Sequence, residues 1–286
     1  MNTLRPLLLI LSILLISEEN SSAQAHDSLD LRLNLKKGDR YELTSSQKGT
    51  DFIENEDGKL KILQQTDSRF LVTVEDTLKN EVTRLAYKLE SISITMSGKN
   101  LDIHVETDDF SKCHSTTQAT KKIVADMYAL ATVSIGRTFW VDMNKRGEAI
   151  RTDVDSIYPE KDDMTQMIRG SAKQCIQTTS FAGYPVAVGD RWKGIGYLNQ
   201  DGKVVSTKSI FTLKSLDKQF AKISSENKGW GDVTNASVTS DISADFVVDI
   251  PTGLAIETHY IATIDAKREK SPYSIISEMT VKLVKQ

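Results

Sequence analysis

Arg84-Leu85-Ala86-Tyr87-Lys88-Leu89-Glu90-Ser91-Ile92-Ser93-Ile94-Thr95-Met96 is the stretch on which the fold turns. Its first half sets Leu85, Tyr87 and Leu89 on one parity, and its second half sets Ile92, Ile94 and Met96 on the other. Alternation with period two marks a half-buried strand, because successive side chains point to opposite faces of a sheet. A change of parity inside one strand needs an extra residue, so a β-bulge or sharp bend is expected near Glu90-Ser91. Bulges of this kind curve sheets.

The same period extends outward from there. Phe70, Val72 and Val74 alternate with Leu71, Thr73 and Glu75, and Ile275, Met279, Val281 and Leu283 oppose Glu278, Thr280 and Lys282. The C-terminal segment is therefore expected to end as a paired strand. Asp57-Gly58 and Asp201-Gly202 are hairpin signals between strand-like runs. Asn144-Lys145-Arg146-Gly147 and Pro251-Thr252-Gly253 read as looser turns.

Two segments depart from this pattern. Ser115-Thr116-Thr117-Gln118 has capping-box spacing, and Ile123, Met127 and Leu130 with Val124, Tyr128 and Ala131 follow helical spacing up to Ser134-Ile135-Gly136. A second amphipathic helix is expected from about residue 160 to 179, with Met164, Met167, Ile168, Ala172, Cys175 and Ile176 on one stripe. Asp162 and Asp163 suit its first turn.

Gly38-Asp39-Arg40-Tyr41 and Gly189-Asp190-Arg191-Trp192 each follow an apolar approach and precede strands joined by an Asp-Gly turn. The chain thus reads as two similar halves. Tyr184-Pro185-Val186-Ala187-Val188-Gly189-Asp190-Arg191-Trp192 resembles the phrase that opens the second half in a family of signal-bearing bacterial envelope proteins of unassigned activity. Leu33 to Tyr41 is similar to that family's opening strand, and Phe246 to Ile256 to its late hairpin. The resemblance implies strand entries and turns and brings no functional residues with it. A curved sheet around helices is also similar to lipoprotein carriers of the bacterial envelope.

The N-terminus has Arg5, the apolar run Leu7 to Ile16, and Ala23-Gln24-Ala25. These are the parts of a cleavable secretory signal, and the run is too short for a membrane span, which takes roughly 20 residues. Cleavage is expected after Ala25, leaving an exported protein, periplasmic or extracellular, with no later transmembrane segment. Loss of Arg5, Glu18 and Glu19 moves the formal charge from −3 to −2. So balanced a charge lacks the basic face that nucleic acid demands.

The chemistry-bearing residues are sparse. No pair among His26, His104, His114 and His259 has helical zinc spacing, there is no Cys-x-x-Cys, and neither a Gly-x-Ser-x-Gly elbow nor a phosphate loop occurs. No metal or cofactor is expected. Asp108, Asp109, Asp153 and Asp155 read as solvated loop acids, paired carboxylates being the alternative. Cys113 precedes the first helix and Cys175 lies late in the second, so antiparallel packing would bring them together. A disulfide closing a loop of about 60 residues would contribute roughly 4 kcal/mol in the chain-entropy model; a buried Cys175 on the apolar stripe is the other reading. Trp230, in Lys228-Gly229-Trp230-Gly231-Asp232, reads either as a loop contact residue or as a cap on the core, and Trp140 and Trp192 read as core.

The expected fold is mainly β (α+β): curved antiparallel sheet from two similar halves with two central amphipathic helices. The divisions are a signal peptide over 1–25, a first β half with the first helix over 26–135, a hairpin and second helix over 136–183, and a second β half over 184–286. The expected function is non-catalytic: binding or carrying an apolar or envelope-derived ligand, with Met127, Tyr128, Met164, Met167 and Trp230 as lining candidates. An envelope structural or protein-interaction module is the alternative, and a hydrolase with an unrecognised site the third reading.

Overall fold

The computed structural model describes residues 28–55, 58–78, 81–154, 180–200, 203–233, 236–268 and 272–286. The expected signal segment and second helix, with Met164, Met167 and Cys175, lie outside the described residues. Within them the chain forms β1 (Arg40–Asn55), β2 (Gly58–Leu78), β3 (Val82–Gly98), β4 (Leu101–Glu106), β5 (His114–Ser115), one α-helix, α1 (Gln118–Ser134), then β6 (Thr138–Met143) and β7 (Ala149–Val154). β8 (Arg191–Gln200), β9 (Lys203–Leu216), β10 (Phe220–Val233), β11 (Ala236–Asp249), β12 (Leu254–Arg268) and β13 (Tyr273–Lys285) follow. All belong to one large curved antiparallel sheet in the order β5-β4-β3-β2-β1-β13-β12-β11-β10-β9-β8, with β6 and β7 branching from β3.

That branch begins at the expected bulge. Phe70 pairs with Leu89 and Arg69 with Ser91, so Glu90 is the extra residue, and its carboxylate lies 3.3 Å from Arg69 Nε. Before the bulge β3 pairs with β6, Lys88 opposite Thr138; after it β3 pairs with β4, Ser93 opposite Glu106. One inserted residue thus keeps Ile92, Ile94 and Met96 on the same face as Leu85 and Tyr87, and lets one strand serve two neighbours.

That shared face, here the inner face, carries the core. Val74, Leu85, Val141 and Met143 in the first half and Leu213, Ile223 and Val248 in the second are almost fully buried. The extended segment before β1 joins the two groups, because Leu31 packs into the second while Leu33 and Leu35 pack into the first. Its backbone is held at Leu29 by Val186, at Leu33 by the Lys145 carbonyl and at Asn34 by the Thr252 carbonyl. Gly253, at φ +68°, lies so close that a Cβ there would overlap the Arg32 carbonyl.

The two Gly-Asp phrases build the same corner. Gly38 N–H donates to the Val74 carbonyl and Val74 N–H to that of Asp39; Gly189 and Leu213 repeat this with Asp190. Both glycines have left-handed backbone, φ +90° and +96°, where an L side chain is strained. Tyr41 faces Val72 as Trp192 faces Phe211. The aspartate side chains have parted ways: Asp190 accepts from its own turn at Ala187 N–H, whereas Asp39 reaches Lys285 on β13 at 2.9 Å.

Helix α1 starts two residues later than the capping-box spacing suggests. Ser115 is taken up in β5, paired with Ile103, so Thr117 becomes the N-cap and forms a reciprocal box with Thr120. Asn55 pairs with Gly58 at the end of the β1–β2 register. Gln200 pairs with Lys203 across the Asp201-Gly202 position. Trp192 is buried, but Trp140 sits on the outer parity of β6 and is only half-buried.

Candidate functional site

Beyond the core the inner face changes character twice. First comes a polar belt with hydrogen bonds across strands: Ser45 Oγ lies 2.8 Å from Ser68 Oγ, and Gln47 donates Nε2–H to Ser277 Oγ at 3.0 Å. Then the face becomes apolar again, with Ile53 on β1, Leu60 and Ile62 on β2, and Ile275 on β13. These four are half-buried and belong to none of the buried clusters among the described residues. Polar groups bonded to one another present few free donors, so the apolar patch past the belt is the part of this face able to take up an oily molecule.

Helix α1 packs on β4 and β5. Val124 is buried against Ile103 and Val105 of β4, and Met127 and Tyr128 pack partly buried on the same cluster beside Ile94 and Met96. Tyr128 also meets the Phe110 ring at 4.5 Å. Met127 and Tyr128, expected from the sequence as lining residues, belong to this cluster between the helix and β4, which shares no residue with the patch of Ile53, Leu60, Ile62 and Ile275.

Trp230 corrects an expectation. The glycines around it suggested a loop, yet Trp230 lies within β10, opposite Thr239 on β11. Gly229 is strand as well, paired with Ser240, whose side chain occupies the space a Cβ there would need. Flanking glycine thus marks close cross-strand approach here rather than a turn.

The residue that sequence reasoning passed over is Asp51. Counting in twos from Tyr41 and Leu43 places it on the inner face, and the register sets it between Ile62 and Ile275. Ser45, Gln47 and Gly49 interrupt the apolar alternation on the way, which hid the parity. Burial among the isoleucines pushes its carboxyl above the usual range. Gln64 Nε2–H donates to Asp51 Oδ1 at 3.3 Å.

Other reactive groups do not converge. His104 and His114 stack at 5.3 Å on β4 and β5, while Cys113 packs on the helix side of β4 and bonds the backbone of Glu106. Among the described residues no three His, Cys, Asp or Glu side chains are grouped as metal ligands. Asp109 caps a one-turn helix, Phe110–Lys112, and Asp153 is paired with Arg151. A cavity of about 420 Å³ between the Leu33 segment and Pro251 has its charges paired, Arg32 with Asp30 and Lys145 with Glu81. Asp30 and Glu81 are held below the usual carboxylate range by those partners. No described helix is long and apolar enough to cross a membrane.

No protein-family model matches the chain, and no curated protein matches its sequence. Among solved structures, lipovitellin is similar over 88% of this chain at 8% identity, with a TM-score of 0.51. The chain spans 25% of lipovitellin's length, and at that identity the likeness is one of fold. The translocator domain of the autotransporter NalP from Neisseria meningitidis matches 96% of each chain at 7% identity, with a TM-score of 0.26. A DUF1329 family protein from Desulfovibrio piger matches 82% of this chain and 83% of its own at 10% identity, with a TM-score of 0.16.

Proposed function

We propose that the protein is a non-catalytic binding or carrier protein, acting outside the cytoplasm, that holds a small apolar or amphiphilic molecule against the inner face of its sheet. The observation that carries this reading is the half-buried apolar patch of Ile53, Leu60, Ile62 and Ile275 beyond the polar belt. The likeness to lipovitellin, whose structure concerns lipid–protein interactions, supports it, and so does the signal-like N-terminus. Burial is worth about 0.8 kcal/mol per methylene, so a twelve-carbon chain gains roughly 9 kcal/mol. Association and ordering take back at least about 4, which leaves affinities from high micromolar upward.

Native mass spectrometry of protein from its own source, with organic extraction of the sample, tests this. One apolar molecule per chain is expected, lost in an Ile62→Arg variant that still folds. A chain at its bare mass that also fails to take up an alkyl fluorophore overturns the reading.

A second reading rests on the opposite face. Leu63, Phe52, Ile276 and Ile261 are 40–48% exposed there, and Leu63 and Ile276 both flank Thr50 in the register. A contiguous exposed apolar patch marks a contact surface, as an envelope interaction module requires. Capture of a discrete partner that Phe52→Ser and Ile276→Ser together abolish, with the inner-face patch empty, would favour it.

A further inference from the structure

Resting on the carrier reading, we infer that the ligand is a cationic amphiphile whose ammonium head pairs with Asp51 while its hydrocarbon tail lies along the Ile62 and Ile275 side of the patch. Away from the strand ends, the inner-face positions of β1, β2, β3 and β10 to β13 carry hydroxyls, amides, aromatics and aliphatics. Among the described residues at those positions, Asp51 is the only acidic or basic one. It does not stand in the polar belt, where its charge would be easiest to solvate. It lies one step beyond it, directly opposite isoleucines on both sides.

Its one hydrogen bond, from the Gln64 amide, is a neutral donor at 3.3 Å, and no cation reaches it among the described residues. A carboxylate in apolar surroundings is costly unless it is paired and hydrogen-bonded, and desolvation alone sets the direction of its pKa. A core requirement does not explain an acid here, since Asn or Gln would bond Gln64 equally well without the charge. Charge complementarity then selects the head group. An ammonium satisfies Asp51, a hydroxyl does so weakly, and a carboxylate meets it with like charge.

Titration of the purified protein with dodecylamine, dodecanol and laurate at pH 7.5, followed by displacement of an alkyl fluorophore, tests the inference. A charge-assisted hydrogen bond is worth enough for about a tenfold or greater preference for the amine over the alcohol, and laurate is expected to bind more weakly than the alcohol. Asp51→Asn, which keeps the shape, should bring amine and alcohol within about threefold and leave the alcohol's affinity unchanged, while Asp51→Glu retains the preference. Asp241→Asn, on the exposed opposite parity of β11, should change nothing. An amine preference that survives Asp51→Asn, or laurate binding as tightly as the amine, overturns the inference. Equal binding of all three also overturns it but leaves the carrier reading standing; if none of the three binds, both fall.

Discussion

Arg84 grips Asp142 at two points across β3 and β6, Nε to Oδ1 at 2.7 Å and Nη2 to Oδ2 at 2.8 Å. The two residues are directly opposite in the register, and Asp142 is only 6% exposed. The fork holds the branch of the sheet where β6 leaves β3. Arg84→Ala would strand a buried carboxylate, and urea unfolding should show a loss of about 3 kcal/mol. Replacing both residues by leucine should cost much less than the sum of the two single changes.

Gly253 and Gly38 separate two reasons for glycine. Both have positive φ, but space for a Cβ is open at Gly38 and closed at Gly253 by the Arg32 backbone. Gly38→Ala should therefore cost roughly 1–2 kcal/mol of backbone strain. Gly253→Ala should cost distinctly more and loosen the segment carrying Leu31, Leu33 and Leu35, seen as faster amide exchange at Leu33 and Asn34.

Deletion of Glu90 tests the bulge. Without the extra residue, Ile92, Ile94 and Met96 turn to the outer face or β3 loses its register with β2. Limited proteolysis should then cut β4 and α1 while β10 to β13 remain protected. Glu90→Ala, which keeps the residue and removes only the exposed contact with Arg69, should cost less than about 1 kcal/mol.

The carboxylates divide by sign. Hydrogen bonding to Lys285 holds Asp39 below its usual range, and the backbone N–H groups of Phe220 and Gln219 do the same for Asp217. Their contributions are present above the unfolded-state value and are lost as pH falls through the folded one. Asp51 is shifted the other way, so its ionisation opposes folding, increasingly as pH rises through its unfolded and then its folded value. Ligand-free Asp51→Asn should match the parent at pH 3 and exceed it in stability at pH 7, by urea midpoint.

Much of this was written locally. The parity change at Glu90 is visible in thirteen residues. What stayed hidden depends on strands meeting. Ser115 lost its cap role because Ile103 claims it for a ladder, and Trp230 lies in a strand because β11 pairs with its segment, Thr239 opposite Trp230. Asp51 was hidden for the same reason, since its isoleucine neighbours come from β2 and β13.

The middle of the sheet is a seam between distant parts of the chain: β1 pairs with β13 from Tyr41–Lys285 to Ile53–Tyr273. Contacts of such sequence separation are slow to form. Until β13 arrives, β1 keeps one long edge open to any strand that will pair with it. Intermolecular pairing therefore competes with the protein's own last strand for that edge until β13 docks.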